Sequence, residues 1–140
     1  MSQIDDADRL ARKRSTMLPV IAIIFVQQFL VFNTADGLVA VALQIAWVTM
    51  SLLATLTLLT GGMWFRHRAL RSLINDEVSE SNRQKGVAAA FVAAMLVAVL
   101  IFAVAPFEPI PAQRAAHLVV TVSLAVGLLV FALAERKSLG

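Results

Sequence analysis

The chain has 140 residues, of which 59% are apolar and only 15% are charged, whereas about a quarter of the residues in an average soluble domain carry a charge. This composition excludes an ordinary soluble domain. The absence of cysteine excludes disulfides, thiolate metal sites and a cysteine nucleophile. We attribute the formal net charge of +3 to membrane topology rather than to nucleic-acid binding, because the bases are concentrated in alternate segments between the apolar blocks.

Residues 1–16 form a charged segment that is predicted to be a short amphipathic helix on the cytoplasmic side. Its three acids precede its bases, as the helix dipole favours. Its apolar face consists of Ile4, Ala7, Leu10 and Ala11.

Four long apolar blocks follow. A bilayer core of roughly 30 Å needs about 20 apolar residues to be crossed by a helix, and a backbone in lipid must satisfy its own hydrogen bonds. We therefore predict four transmembrane helices, with Pro19 in the first turn of the first one. No A-x-A-like cleavage site follows the first block, so we expect it to be retained. The predicted spans are residues 17–35, 38–65, 86–105 and 115–134.

The connections between these spans alternate in charge. Eleven of the twelve bases lie in segments 1–16, 66–85 and 135–140, and one lies in the outer loop 106–114. The outer turn 36–37 has none. The positive-inside rule then places both termini in the cytoplasm, and the short outer connections predict an antiparallel, up-down-up-down four-helix bundle in the membrane.

Small residues recur every four positions at the start of the third span. Such a row lets another helix backbone approach closely. It serves either packing within the bundle or a seam with a partner or a second copy of the chain. The row consists of Gly86, Ala90, Ala94 and Ala98, and Gly62 is a further small packing position on the second span.

Polar residues inside the spans form a second pattern. Gln44, Ser51, Thr55 and Gly62 lie near one line of the second helix. Because Gln27 and Gln28 lie at a depth similar to Gln44, we predict a hydrogen bond between Gln44 and one of these two glutamines. This polar seam either stabilises the bundle or binds a small ligand.

Most chemical functions find no support in the sequence. None of the spans contains an acid or a base, which argues against the small proton-driven exporters, since they carry a membrane-embedded acid. His67 and His117 are predicted at opposite membrane faces and cannot ligate one haem; each is expected to be an interfacial side chain. No catalytic or nucleotide-binding motif appears, so we expect no enzyme activity, no cofactor and no metal.

The charged segment 66–85 is longer than a tether requires. Leu70, Leu73, Ile74 and Val78 form one apolar stripe, so the second helix is predicted to continue beyond the membrane, and the next helix to start at Ser81 or Asn82. Segments 1–16 and 66–85 either lie on the lipid headgroups, pack on each other, or form a docking surface.

The second half of the chain resembles a group of small four-helix bacterial membrane proteins. The resemblance covers residues 70–139 and rests on "LINDEVSESNRQKG" and "LLVFALAERKSLG". The matching positions are Leu73, Asn75, Asp76, Glu77, Asn82, Arg83, Gly86, Glu135 and Arg136. Members of this group look like proteins encoded beside helix-turn-helix transcription regulators. The resemblance implies a protein of the bacterial inner membrane that holds or inactivates such a regulator at the membrane.

These patterns favour a non-catalytic regulatory or anchoring protein whose cytoplasmic face binds a soluble protein, without direct contact to nucleic acid. Its acids would suit the bases of a DNA-binding partner. One alternative is a structural accessory subunit of a larger membrane complex, and another is a small-molecule carrier or receptor. The candidate partner-binding residues are Arg71, Leu73, Ile74, Asp76, Glu77, Glu80 and Arg83.

Overall fold

The computed structural model describes residues 3–32, 37–60 and 77–139. Within these ranges the chain forms four α-helices: α1 (Gln3–Phe32), α2 (Gly37–Thr60), α3 (Glu77–Val104) and α4 (Ala112–Leu139). The predicted all-α class and the four-helix arrangement are therefore confirmed.

Three of these helices contain stretches long and apolar enough to cross a membrane: Gly37–Thr60, Val78–Val104 and Ala112–Ser138. The apolar stretch found in α1, Thr16–Gln28, is shorter. The end of the predicted first span, residues 33–35, lies outside the described residues. Three long apolar helices are typical of a multi-pass membrane protein.

The helices extend further into charged sequence than the predicted boundaries. α1 runs unbroken from Gln3, so Pro19 is an interior position and not a first-turn residue as predicted. α3 begins at Glu77 rather than at Ser81 or Asn82. The backbone hydrogen bonds of a helix do not depend on side-chain polarity, and a glutamate in the first turn is favoured by the helix dipole.

The start of α2 and both ends of α4 also differ from the predicted spans, whereas residues 61–65 of the predicted second span lie outside the described residues. α2 starts at Gly37, whose φ of 63° lies in the left-handed region that glycine adopts at little cost. α4 extends by three residues before the predicted span and through Leu139 after it, so the predicted tail 135–139 is helical.

Helix α4 lies at the centre of the arrangement and contacts the other three helices. Its most extensive contact is with α3, as predicted for these neighbours, and the next is with α1. α1 packs less on α2 than on α4. The buried apolar core accordingly draws on α4, α1 and α2, with Phe25 and Phe131 fully enclosed. The core residues are Leu18, Ala22, Phe25, Ala54, Leu58, Leu124, Ala125, Leu128, Phe131 and Ala132.

The outer surface of α3 is strongly apolar. Phe91, Leu96, Val99, Leu100 and Phe102 are all more than half exposed. An apolar face of this size is rare on a soluble monomer, whereas it suits contact with lipid chains.

Candidate functional site

One continuous stripe joins α3 and α4, and its composition changes along its length. On α3 it runs through residues 79, 82, 86 and 90, and on α4 through residues 138, 135, 131 and 127. The contacts pair high numbers on one helix with low numbers on the other, so the two helices are antiparallel. The stripe is small and apolar at Ala90 and Gly127 and polar at Ser79 and Glu135.

The apolar part of this stripe brings two backbones together. A Cβ atom added to Gly86 would lie 2.9 Å from the carbonyl oxygen of Gly127 and 2.9 Å from the Cβ of Phe131. A Cβ added to Gly127 would lie 2.8 Å from that of Ala90. Real side chains essentially never approach so closely. The crossing of α3 and α4 therefore requires glycine at both positions.

The polar part of the stripe is hydrogen-bonded, and two of its four residues, Asn82 and Glu135, are buried. The hydroxyl of Ser79 donates to Oε1 of Glu135 at 2.9 Å, and Glu135 is only 3% exposed. The amide of Asn82, also buried, donates to Oγ of Ser138 at 3.3 Å. Ser138 in turn donates to the backbone oxygen of Glu135 at 2.8 Å. We call Ser79, Asn82, Glu135 and Ser138 the polar clamp.

Beside the polar clamp, the charged turns of α3 pair within the helix and reach towards α2. Arg83 forms an ion pair with Glu80 and also donates to the backbone oxygen of Leu59 in α2. Gln84 donates to the same carboxylate of Glu80 at 3.4 Å. Glu80 precedes the predicted span 86–105, and its hydrogen bond to Arg83 lowers the pKa of its carboxyl group.

The predicted partner-binding residues fall into two groups. Arg71, Leu73, Ile74 and Asp76 lie outside the described residues, as does the predicted helical extension of α2. Glu77 is the first residue of α3. Glu80 and Arg83 are brought together, but in an ion pair with each other. The charge of Glu80 is thus partly balanced within the chain.

Only one end of the predicted small-residue row packs against another helix. Gly86 is buried, Ala90 and Ala94 are half-buried, and Ala98 is exposed. The row therefore packs within the bundle near Gly86. Gly62 lies outside the described residues.

The predicted hydrogen bond between Gln44 and Gln27 or Gln28 is wrong. Gln44 and Gln27 are exposed, and Nε2 of Gln28 contacts Sδ of Met50 at 3.4 Å instead. Met50 lies six residues, or roughly 9 Å along the helix, beyond Gln44. Equal depth in the sequence therefore does not place these glutamines opposite each other.

The hydroxyl groups of the predicted polar seam are satisfied within their own helix. Ser51 donates to the backbone oxygen of Trp47, and Thr55 donates to that of Ser51, each at 2.8 Å. Such bonds to the preceding turn remove the need for a partner on another helix. Ser51 is buried and Thr55 is exposed.

His117, predicted to be an interfacial side chain, is buried against other helices. It is 6% exposed, and its ring meets that of Trp47 edge-on, with centroids 4.5 Å apart. Nε1 of Trp47 also donates to Oγ1 of Thr121 at 3.4 Å. Trp47 thus joins α2 to α4. His67, the other histidine, lies outside the described residues.

Sequence reasoning missed the polar clamp as a unit, although the spacing contained a signal. Gly127, Phe131, Glu135 and Ser138 recur at intervals of four, four and three, which places them on one helix face. Ser79, Asn82 and Gly86 recur at intervals of three and four on α3. Two stripes with small residues at one end and short polar residues at the other predict an antiparallel contact.

No protein-family model, no curated protein and no solved structure matches the chain. Among residues 3–32, 37–60 and 77–139, no group of three or more histidine, cysteine or acidic side chains could hold a metal ion. The chemistry at this end of the bundle consists of hydrogen bonding and charge.

Proposed function

We propose that the chain is a non-catalytic regulatory or anchoring protein of the bacterial inner membrane, whose charged segment 66–85 binds a soluble cytoplasmic protein. The observation that carries this proposal is the polar clamp. It fixes residues 77–85, the second part of the segment, as ordered turns of α3 against α4. A tether needs no such hydrogen bonds between helices, whereas a recognition surface gains affinity from being preorganised.

The proposed partner is a basic, DNA-binding protein. Because Glu80 is paired with Arg83, we assign the attraction for such a partner chiefly to Asp76 and Glu77. Complementary charges accelerate association and disfavour wrong partners. The resemblance of residues 70–139 to membrane proteins encoded beside helix-turn-helix regulators supports a transcription regulator as the partner.

The proposal includes four spans with both termini in the cytoplasm, and single cysteines test this topology. The chain has no cysteine of its own. Ser81 and Glu108 are both exposed and lie near opposite ends of α3. We expect Glu108→Cys to react with a membrane-impermeant maleimide in intact spheroplasts, and Ser81→Cys to react only in inverted vesicles. The opposite pattern of labelling would reverse the proposed orientation.

A pull-down from the native bacterium tests the partner. The tagged wild-type protein, extracted in mild detergent, is expected to retain a soluble DNA-binding protein identified by mass spectrometry. The variant Asp76→Lys with Glu77→Lys should retain at least ten times less of it, because like charges now face each other. DNA carrying the regulator's site should also compete with the wild-type complex.

The control for this experiment is Glu108→Lys, which reverses an exposed acid at the other end of α3. It is expected to retain the partner at the wild-type level. Equal retention by the wild type and both variants would show that the acids of segment 66–85 do not bind the partner.

The exposed apolar face of α3 favours a second candidate, a structural accessory subunit of a larger membrane complex. In that case, the same pull-down would recover only membrane subunits, and both charge variants would retain them. The variant Phe91→Ala with Leu96→Ala would then weaken the recovery. No comparable observation favours the carrier or receptor, because Gln44 does not meet Gln27 or Gln28.

A further inference from the structure

A groove with basic and apolar parts lies between α3 and α4, next to the polar clamp. Its volume is ≈ 540 Å³, within the range typical of ligand pockets. Lys85 from α3 and Lys137 from α4 contribute the charges. The lining residues are Val78, Asn82, Lys85, Val130, Leu133, Ala134, Lys137 and Ser138.

The charges of this groove have one sign. Both lysines are exposed, and no acid is among the described residues that line it. Two carboxylates on the same helices are engaged within the chain, since Glu135 accepts from Ser79 and Glu80 pairs with Arg83. The groove therefore carries the positive charge needed to bind an anion.

The apolar residues continue the groove away from the lysines. Val130 lies seven residues before Lys137, which corresponds to roughly 10 Å along the helix, and Leu133 lies between them and is 57% exposed. An occupant that satisfies both parts has an anionic head and an apolar tail. A free phosphate would leave the apolar part of the groove unoccupied.

We propose that this groove binds the headgroup of an anionic phospholipid, with one acyl chain along Val130 and Leu133. The phosphate would lie between the ammonium groups of Lys85 and Lys137. Basic pockets between membrane helices on the cytoplasmic side commonly bind such headgroups. Lysine side chains near helix ends also extend readily to the headgroup level. The inference rests on the membrane placement in the proposed function, but not on the soluble partner.

A lipid bound in this groove would also stabilise the polar clamp. Asn82 and Ser138 line the groove and also hydrogen-bond to each other. A lipid held there bridges α3 and α4 at the point where the charged turns begin. Anionic lipid would thus stabilise the same surface that the proposed partner contacts.

The test uses the purified full-length chain in detergent micelles, titrated with dioleoylphosphatidylglycerol or dioleoylphosphatidylcholine and observed by native mass spectrometry. We expect clear preference for the anionic lipid. Since each juxtamembrane lysine contributes about a fivefold gain in affinity for an anionic surface, Lys85→Gln with Lys137→Gln should weaken binding of the anionic lipid by about 30-fold.

A matched control removes two bases that do not line the groove. Lys13→Gln with Arg136→Gln causes the same change in net charge at exposed positions, and it should change the affinity by less than about threefold. Inorganic phosphate at a hundredfold excess over lipid should not compete.

Three results would overturn the proposal. Equal weakening by both double variants would indicate a general charge effect, and equal binding of the two lipids would indicate an apolar groove without headgroup recognition. Displacement by inorganic phosphate would assign the groove to a soluble anion. None of these results depends on the pull-down, so the two proposals can fail separately.

Discussion

Replacing Gly86 by leucine is expected to lower the free energy of unfolding by about 3 kcal/mol, the upper part of the usual range for overpacking. A Cβ at this position would lie 2.9 Å from the backbone oxygen of Gly127. That oxygen belongs to a helix and cannot rotate away as the end of a flexible side chain could. The two helices must separate, and their close backbone contact, the main source of helix association in lipid, is lost.

Reversible unfolding in mixed micelles of a mild detergent and sodium dodecyl sulfate measures this effect. Tryptophan fluorescence is a suitable signal, because Trp47 contacts His117 and Thr121. Gly127→Leu should show a loss similar to that of Gly86→Leu. The two together should lose less than the sum, because both variants disrupt the same contact.

Ala98→Leu is the matched control on the same predicted row of small residues. Ala98 is exposed, so a leucine there extends into lipid, and we expect a change within about 0.5 kcal/mol. A larger loss from Ala98→Leu than from Gly86→Leu would contradict the structure. It would place the important contact at the other end of the row, as a seam between copies of the chain requires.

The class of the fold could be predicted from the sequence because the signal is redundant. Each apolar block is much longer than a soluble core helix needs, and in lipid a helix is the main way to satisfy the backbone. The boundaries were harder to predict. Polarity marks where a helix leaves the membrane, not where its hydrogen bonds end, so the sequence predicts the start of α3 at Ser81 or Asn82 instead of at Glu77.

The packing of the helices could be predicted only where the sequence restricts it strongly. Gly86 and Ala90 indicated a close approach, and the structure shows α4 at this position. The position of Gln28 opposite Met50 follows instead from the angle and register at which α1 and α2 meet. No local sequence pattern predicts this angle or this register. Similarly, the burial of His117 depends on the ring of Trp47 in another helix.

The burial of Glu135 could not be recognised from α4 alone. A glutamate followed by Arg136 and Lys137 at the end of an apolar helix is typical of an exposed membrane edge. Its burial depends on Ser79, which lies 56 positions earlier. The sequence therefore indicated where polar residues begin, whereas the contact between two distant segments determines which of them is enclosed.

Replacing Glu135 by leucine is expected to lower the free energy of unfolding by about 2 kcal/mol, since a hydrogen bond to a charged group contributes roughly 1.5–3 kcal/mol. The variant leaves the hydroxyl of Ser79 without this acceptor at the interface. Glu135→Gln retains an acceptor oxygen, so it should lose only about 1 kcal/mol. The same unfolding assay in mixed micelles measures all the variants.

A double-mutant cycle with Ser79→Ala separates the hydrogen bond from other effects. We expect Ser79→Ala alone to cost about 1 kcal/mol, and the combination with Glu135→Leu to cost about 1 kcal/mol less than the sum. Glu108→Leu, at an exposed acid, should change stability by less than about 0.5 kcal/mol. Strict additivity of Ser79→Ala and Glu135→Leu would show that the clamp does not couple α3 to α4. It would also remove the observation on which the recognition surface depends, because residues 77–85 would then no longer be fixed by α4.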